Sequence, residues 1–185
     1  MKKNSDTKKT ITVTLRIDKN IMDVLTEDAN NDSISFNSLV NHVLDKYVKW
    51  GKYEDKTSLI HLNALVVKEL FGRLSRDEVI RIGREISRDA IYNIILFMNG
   101  EVDFDILMSW YKDRMKSCSS ISDKKENNGT HRIIFKHDLG ENWSFYHKSI
   151  LESICHDILS IPIKVYTTNS TITIDTKDDS AYSSS

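Results

Sequence analysis

Side chains that form directional hydrogen bonds alternate with apolar ones near the start of the sequence. Thr12, Thr14 and Arg16 stand two residues apart, and the intervening apolar residues are Ile11, Val13, Leu15 and Ile17. Because side chains on a strand alternate between its faces, this spacing predicts a strand over residues 10–17 with one polar face. Arginine pairs with guanine through two hydrogen bonds, and threonine bonds to a base or touches a thymine methyl. The polar face therefore suits the base edges of a DNA major groove.

Two amphipathic helices are predicted directly after this strand. Asp18 is placed to cap the first helix, whose apolar stripe comprises Ile21, Val24, Leu25 and Ala29. Polar residues 30–33 end that stripe, and Ser35 is placed to cap the second helix. Apolar residues then recur at helical spacing, namely Phe36, Leu39, Val40, Val43, Leu44, Tyr47 and Val48. The first turn of the second helix offers free backbone amides, which bind phosphate groups well.

The predicted strand has no partner close by in the sequence. The next strand-like segment is at 130–137, and an unpaired strand leaves its backbone groups unsatisfied. A two-fold dimer solves this problem by pairing the strand with its own copy. The pair would bury the apolar row on the helices and leave Thr12, Thr14 and Arg16 facing outward. The sequence therefore predicts a homodimer or a higher oligomer.

This order of strand, helix, turn and helix resembles the ribbon-helix-helix family of DNA-binding repressors, over residues 10–50. The resemblance implies a sequence-specific transcriptional regulator that inserts an antiparallel two-stranded ribbon into the major groove of double-stranded DNA. It implies base contacts from Thr12, Thr14 and Arg16, and phosphate contacts from Ser35, Phe36 and Asn37. The chain departs from the family at the turn, where Asn31-Asp32 replaces a common glycine, and in having no basic residue at the start of the second helix.

The chain as a whole is nearly neutral, but basic residues are concentrated at its start. A net charge of -1 over 185 residues means that any DNA binding must come from a local basic patch. Residues 1–9 are predicted to be a flexible basic arm, in which Lys8 and Lys9 are candidate phosphate contacts. This arm argues against the alternative that residues 10–50 serve only for dimerisation.

Nothing in the composition indicates a membrane or secreted protein. No apolar run reaches the length of a membrane span, and no signal-like apolar segment follows the first lysines. Cys118 and Cys155 are too far apart in sequence to indicate a disulfide framework. We therefore expect a cytoplasmic protein with no membrane contact.

The remaining chain is predicted to be mostly helical, with a small α/β unit, which makes the overall fold class mostly α with short β (α+β). We expect a helical region at 56–117, a linker at 118–129, a β-α-β-β unit at 130–177 and a disordered tail at 178–185. Ser75 and Glu78 form a capping-box pattern ahead of a helix that contains Gly83. Because acidic residues interleave with its arginines, we interpret that helix as solvated rather than as a second phosphate site.

A set of histidines and one cysteine in the C-terminal unit has metal-binding chemistry: His131, His137, His147, His156 and Cys155. Imidazole and thiolate suit zinc, nickel or copper, so a metal- or ligand-responsive sensor is one alternative. No pair has the spacing of a known metal motif, and a buried, hydrogen-bonded His147 and a core Cys155 are the favoured interpretation. We therefore assign no metal and no cofactor.

Enzyme motifs are absent from the sequence, including GxSxG, HExxH and a glycine-rich phosphate loop. We therefore predict no catalytic residue. A further alternative is an antitoxin-like or protein-interaction protein. Such a protein would use the N-terminal module for dimerisation and the C-terminal unit to bind an effector or a partner protein.

Overall fold

The computed structural model describes residues 10–57, 60–126 and 129–177. The fold is α+β, with helices throughout and one four-stranded antiparallel sheet. The chain divides into two compact units, the first ending at Lys56 and the second beginning at Thr57. The helical region and the α/β unit, which were predicted as separate domains, belong together in the second unit. The predicted basic arm, with Lys8 and Lys9, and the predicted tail at 178–185 lie outside the described residues.

The first unit contains two helices whose starts are capped as predicted. Helix α1 spans Lys19–Asn31, and the Asp18 carboxylate accepts a hydrogen bond from the Asn20 amide at 2.8 Å. Helix α2 spans Phe36–Lys49, and the Ser35 hydroxyl accepts one from the Ser38 amide at 3.0 Å. Two short helical turns follow, the 3₁₀ turn Gly51–Tyr53 and α3 (Glu54–Thr57).

The turn between α1 and α2 is closed by two backbone hydrogen bonds. The Ser33 amide donates to the Asn30 carbonyl at 3.1 Å, and the Ile34 amide donates to the Ala29 carbonyl at 2.9 Å. This pattern is the Schellman motif, in which one residue adopts the left-handed conformation. Here that residue is Ser33, with a φ of 55°. The left-handed position therefore falls after Asn31-Asp32 rather than on them.

The helices of the second unit run from α4 to α8. They are α4 (Ala64–Gly72), α5 (Arg76–Ile86), α6 (Asn93–Asn99), α7 (Phe104–Met115) and α8 (Glu141–Glu152), with π-helical turns at Ser87–Tyr92 and Ser153–Ile158. The predicted capping box is confirmed, because the Ser75 hydroxyl caps the Glu78 amide and the Glu78 carboxylate accepts from the Ser75 amide.

The sheet of the second unit has the strand order β1-β2-β4-β3. Its strands are β1 (Ser119–Lys125), β2 (Thr130–His137), β3 (Lys164–Thr167) and β4 (Thr171–Lys177). The prediction of a linker at 118–129 is wrong for 119–125, which pair with β2 along its whole length. Apart from Ile121 this segment is polar, because β1 is an edge strand that needs little apolar surface. The unit is therefore β-β-α-β-β rather than β-α-β-β.

One face of the sheet is covered by helices and forms the core. Alternate residues of the inner strands are buried on this face, together with residues of α7, of α8 and of the π-helical turn that follows α8. They are Ile133, Phe135, Ile172, Ile174, Leu107, Tyr111, Met115, Ile150, Leu151 and Ile154. The opposite face carries polar and charged side chains, as in antiparallel sheets with one solvated side.

Helices α5 and α8 approach closely at Gly83. A β-carbon at this position would lie 2.9 Å from the Tyr146 carbonyl oxygen and 2.0 Å from the Ser149 hydroxyl. Gly83 therefore lies inside its helix because no side chain fits there.

No helix in the described ranges is long and apolar enough to cross a membrane.

Candidate nucleic-acid interface

Residues 10–18 form neither helix nor strand within the single chain. A strand is defined by hydrogen bonds to a neighbouring strand, and in the predicted ribbon a second copy supplies that neighbour. The segment is nevertheless solvent-exposed along both of its predicted faces. Ile11, Val13 and Leu15 are 88%, 64% and 61% exposed, and Thr12, Thr14 and Arg16 are exposed as well. The ribbon remains a prediction, with all of its side chains accessible.

The apolar stripes of α1 and α2 are only partly covered. Ala29 is 2% exposed, and it is the one buried residue among the described residues of the first unit. Leu25, Leu39 and Val40 are half-buried where α1 and α2 meet. Phe36 is half-buried as well, and the other residues of the two stripes are exposed, as is Met22: Ile21, Val24, Val43, Leu44, Tyr47 and Val48. A unit of this size with one buried side chain lacks a core of its own.

The start of α2 has the geometry of an anion site. The Ser38 amide donates a hydrogen bond to the Ser35 hydroxyl, and the Leu39 amide donates one to the Ser35 carbonyl. The amides of Phe36 and Asn37 precede the first intrahelical hydrogen bond and point out of the helix end. No acidic residue lies in this first turn, so the positive end of the helix dipole is not offset locally.

The side chains at this helix start have different roles. The Phe36 ring is half-buried, whereas Asn37 is exposed and its carbonyl accepts from the Asn41 side-chain amide at 2.7 Å. For Phe36, the backbone amide is available for a phosphate contact and the ring is not. Thr12, Thr14 and Arg16 precede α1 in the same compact unit.

The histidines and cysteine of the metal alternative are dispersed. The His131 ring lies 2.5 Å from the Asp123 carboxylate, His137 lies 2.9 Å from the Ser144 hydroxyl, and His156 lies 3.1 Å from the Ile163 carbonyl. Within the ranges that the structure describes, no three His, Cys, Asp or Glu residues are close enough to hold a metal ion.

His147 and Cys155 are buried in the core, as the favoured interpretation predicted. The Nδ1 atom of His147 lies 3.2 Å from the Tyr111 hydroxyl, and the ring contacts Trp143 with centroids 4.3 Å apart. Burial disfavours the charged imidazolium and lowers the pKa of His147 to about 3. Burial also raises the pKa of the Cys155 thiol to about 12, so that neither a cation nor a thiolate forms there near neutral pH.

One charged surface was missed by the sequence interpretation. Lys124, Lys136 and Lys164 are exposed on the sheet face that no helix covers. The alternation Arg132-Ile134-Lys136 in β2 was a signal for such a face. However, β1 was not recognised as a strand, so the neighbours of these side chains were unknown.

The comparisons with known proteins add no further assignment, since no family model, curated protein or solved structure matches the chain.

Proposed function

We propose that this protein is a homodimeric, sequence-specific DNA-binding transcriptional regulator of the ribbon-helix-helix kind. In the proposed dimer, residues 10–17 of two copies pair as an antiparallel ribbon that enters the major groove. Thr12, Thr14 and Arg16 contact base edges there. The amides of Phe36 and Asn37, at the helix start capped by Ser35, bind a flanking phosphate.

The exposed apolar surface of the first unit carries this proposal. Apolar side chains on residues 11–17 and on both helices face solvent, and Ala29 alone is buried among the described residues of the unit. Burial of apolar surface contributes about 25 cal/mol per Å², so leaving all of it in water is unfavourable. A second copy that pairs its ribbon with the first covers the apolar row and satisfies the strand backbone at once.

Two neighbouring positions test the ribbon, because its faces alternate. Val13→Glu places a charge on the predicted inner row, and Thr14→Glu places the same charge on the predicted outer row. We expect Val13→Glu to dissociate the dimer in sedimentation experiments. Thr14→Glu should leave the dimer intact and abolish sequence-specific DNA binding by the ribbon, because the carboxylate repels the DNA there. If both variants dissociate to the same extent, or neither does, the ribbon is wrong.

Base reading is tested by selection from random-sequence DNA. The wild type should enrich a short repeated or palindromic site whose half-site spacing reports how the dimers are arranged. Arg16→Ala should reduce the preference for that site over a scrambled one by about 1–3 kcal/mol, because its bidentate base contact is lost. Equal preference in the wild type and in Arg16→Ala would exclude Arg16 as a base contact.

A further inference from the structure

The uncovered face of the sheet carries an ordered array of side chains. The register places two rows across all four strands and a third row across β1, β2 and β4. The rows are Lys124-Arg132-Asp175-Lys164, Ser122-Ile134-Thr173-Tyr166 and Ser120-Lys136-Thr171. Tyr166, on the edge strand β3, is 55% exposed.

Two carboxylates of the described residues reach this face, and both are bound to Arg132. Its guanidinium makes two hydrogen bonds to Asp175, at 2.7 and 2.6 Å, and one to Glu126 at 3.0 Å. The bond from Arg132, with a smaller contribution from the charge of Lys164, lowers the pKa of the Asp175 carboxyl. Both acids are therefore held on Arg132, whose single positive charge offsets one of their two formal negative charges.

The described residues of this face have a formal charge of +2, because Arg132 and three lysines outnumber Asp175 and Glu126. Lys124, Lys136 and Lys164 make no ion pair with any described residue. Strands lie about 4.8 Å apart, so Lys124 and Lys164 on the two edge strands are about 14 Å apart. Lys136 lies four residues along β2 from their row, which is about 13 Å. These backbone separations are comparable to the roughly 12 Å width of a DNA major groove.

We propose that this lysine face, defined by Lys124, Lys136 and Lys164, is a second contact surface for the phosphate backbone of double-stranded DNA. Lysine, serine, threonine and tyrosine are the side chains that donate hydrogen bonds to phosphate without reading sequence. Among the described residues, this face contains these residue types, and its two acids are both bound to Arg132, which fits a polyanion. The inference rests on the proposed function, because its ligand is the DNA flanking the site bound by the first unit.

Salt dependence of DNA binding by the full chain tests this inference without knowledge of the operator. The probe is a fluorescent pool of random-sequence 40-bp duplexes, titrated by anisotropy from about 50 to 250 mM KCl, a range in which phosphate contacts dominate non-specific binding. The variant is Lys124→Ala, Lys136→Ala, Lys164→Ala. The matched control is Lys68→Ala, Lys116→Ala, Lys148→Ala, which removes the same charge from lysines of the second unit that are engaged with acids.

Each lost phosphate contact reduces the slope of log affinity against log salt by about 0.9. We expect the lysine-face variant to lose about 2–3 units of slope per engaged protomer, and the control to change by less than about 0.5. Equal slopes in the two variants would overturn the inference, because a general charge effect would then explain both. An absence of duplex binding by the wild type at 50 mM KCl would overturn it too.

The same measurements separate failure of the lysine face from failure of the ribbon. If the selected site depends on Arg16 while the lysine-face slope equals that of the wild type, only the present inference fails. If no site is selected and Val13→Glu remains dimeric, the ribbon fails. A slope difference that persists in that case would assign DNA binding to the sheet face alone.

Discussion

Replacing Gly83 by alanine tests the closest helix contact in the protein. The added β-carbon would lie 2.9 Å from the Tyr146 carbonyl oxygen, which is backbone and cannot rotate away. It would also lie 2.0 Å from the Ser149 hydroxyl, which donates to that same carbonyl at 2.8 Å. Accommodating one methyl group therefore requires α8 to shift and the buried Ser149 hydrogen bond to break.

The expected change in the free energy of unfolding combines two unfavourable contributions and one favourable contribution. Overpacking a well-packed contact costs roughly 1–3 kcal/mol, and losing a buried hydrogen bond costs about 1 kcal/mol. Alanine instead of glycine inside a helix returns about 1 kcal/mol. We expect Gly83→Ala to lower the free energy of unfolding of the second unit by about 1–3 kcal/mol.

Urea unfolding, followed by near-UV circular dichroism of the aromatic cluster around Trp143, measures this change. Gly72→Ala is the matched control, because nothing lies within 4 Å of a β-carbon at the end of α4. It should change the free energy of unfolding by no more than about 0.5 kcal/mol. Adding Ser149→Ala to Gly83→Ala should recover part of the loss, because the hydroxyl clash disappears. If Gly83→Ala is as stable as the wild type or more stable, α5 and α8 do not pack as closely as described.

Two further predictions concern stability. Since the pKa of His147 is about 3 in the folded protein and about 6.5 in an unfolded chain, the unfolded state binds the extra proton between these values. The contribution of this residue to the free energy of unfolding should therefore be fully present above pH 6.5 and decrease towards pH 3 by up to roughly 1.4 kcal/mol per pH unit. Urea unfolding from pH 7 to pH 4 should show that the free energy of unfolding depends less steeply on pH in His147→Gln. In the first unit, Ser33→Gly should raise the free energy of unfolding by about 0.5–1 kcal/mol, because glycine adopts the left-handed φ of 55° without strain. Thermal unfolding of Ser33→Gly beside Ser33→Ala measures this effect, and a destabilised glycine variant would contradict it.

Local patterns predicted much of the fold because the residues that decide it are neighbours in sequence. The caps at Asp18, Ser35 and Ser75 form bonds within three residues and were predictable from residue type. Strand β2 was predicted because its buried residues alternate. Strands β3 and β4 are joined by the short hairpin turn Asn169-Ser170, across which the Thr168 amide donates to the Thr171 carbonyl at 2.9 Å.

The features that sequence did not predict depend on distant partners. Strand β1 has few apolar residues, so its composition resembles that of a linker. It is a strand because it pairs with β2. Glycine inside a helix is ordinarily unfavourable, and the reason for Gly83 is the close approach of Tyr146 and Ser149 on another helix. The lysine face needed the register of four strands, since Lys124 and Lys164 are forty residues apart and meet in one row only through β2 and β4.

The two units differ in how their folds are stabilised, and this difference bears on the proposed mechanism. The second unit has a buried core of its own, so its lysine face is held on a rigid sheet whether or not DNA is present. The first unit buries Ala29 alone among its described residues, so its stability would come from the second copy that completes the ribbon. Folding of the reading element and dimerisation would then be one equilibrium, set by protein concentration. Sequence reading would be lost on dilution, while the salt-dependent contact made by each sheet would persist in the monomer.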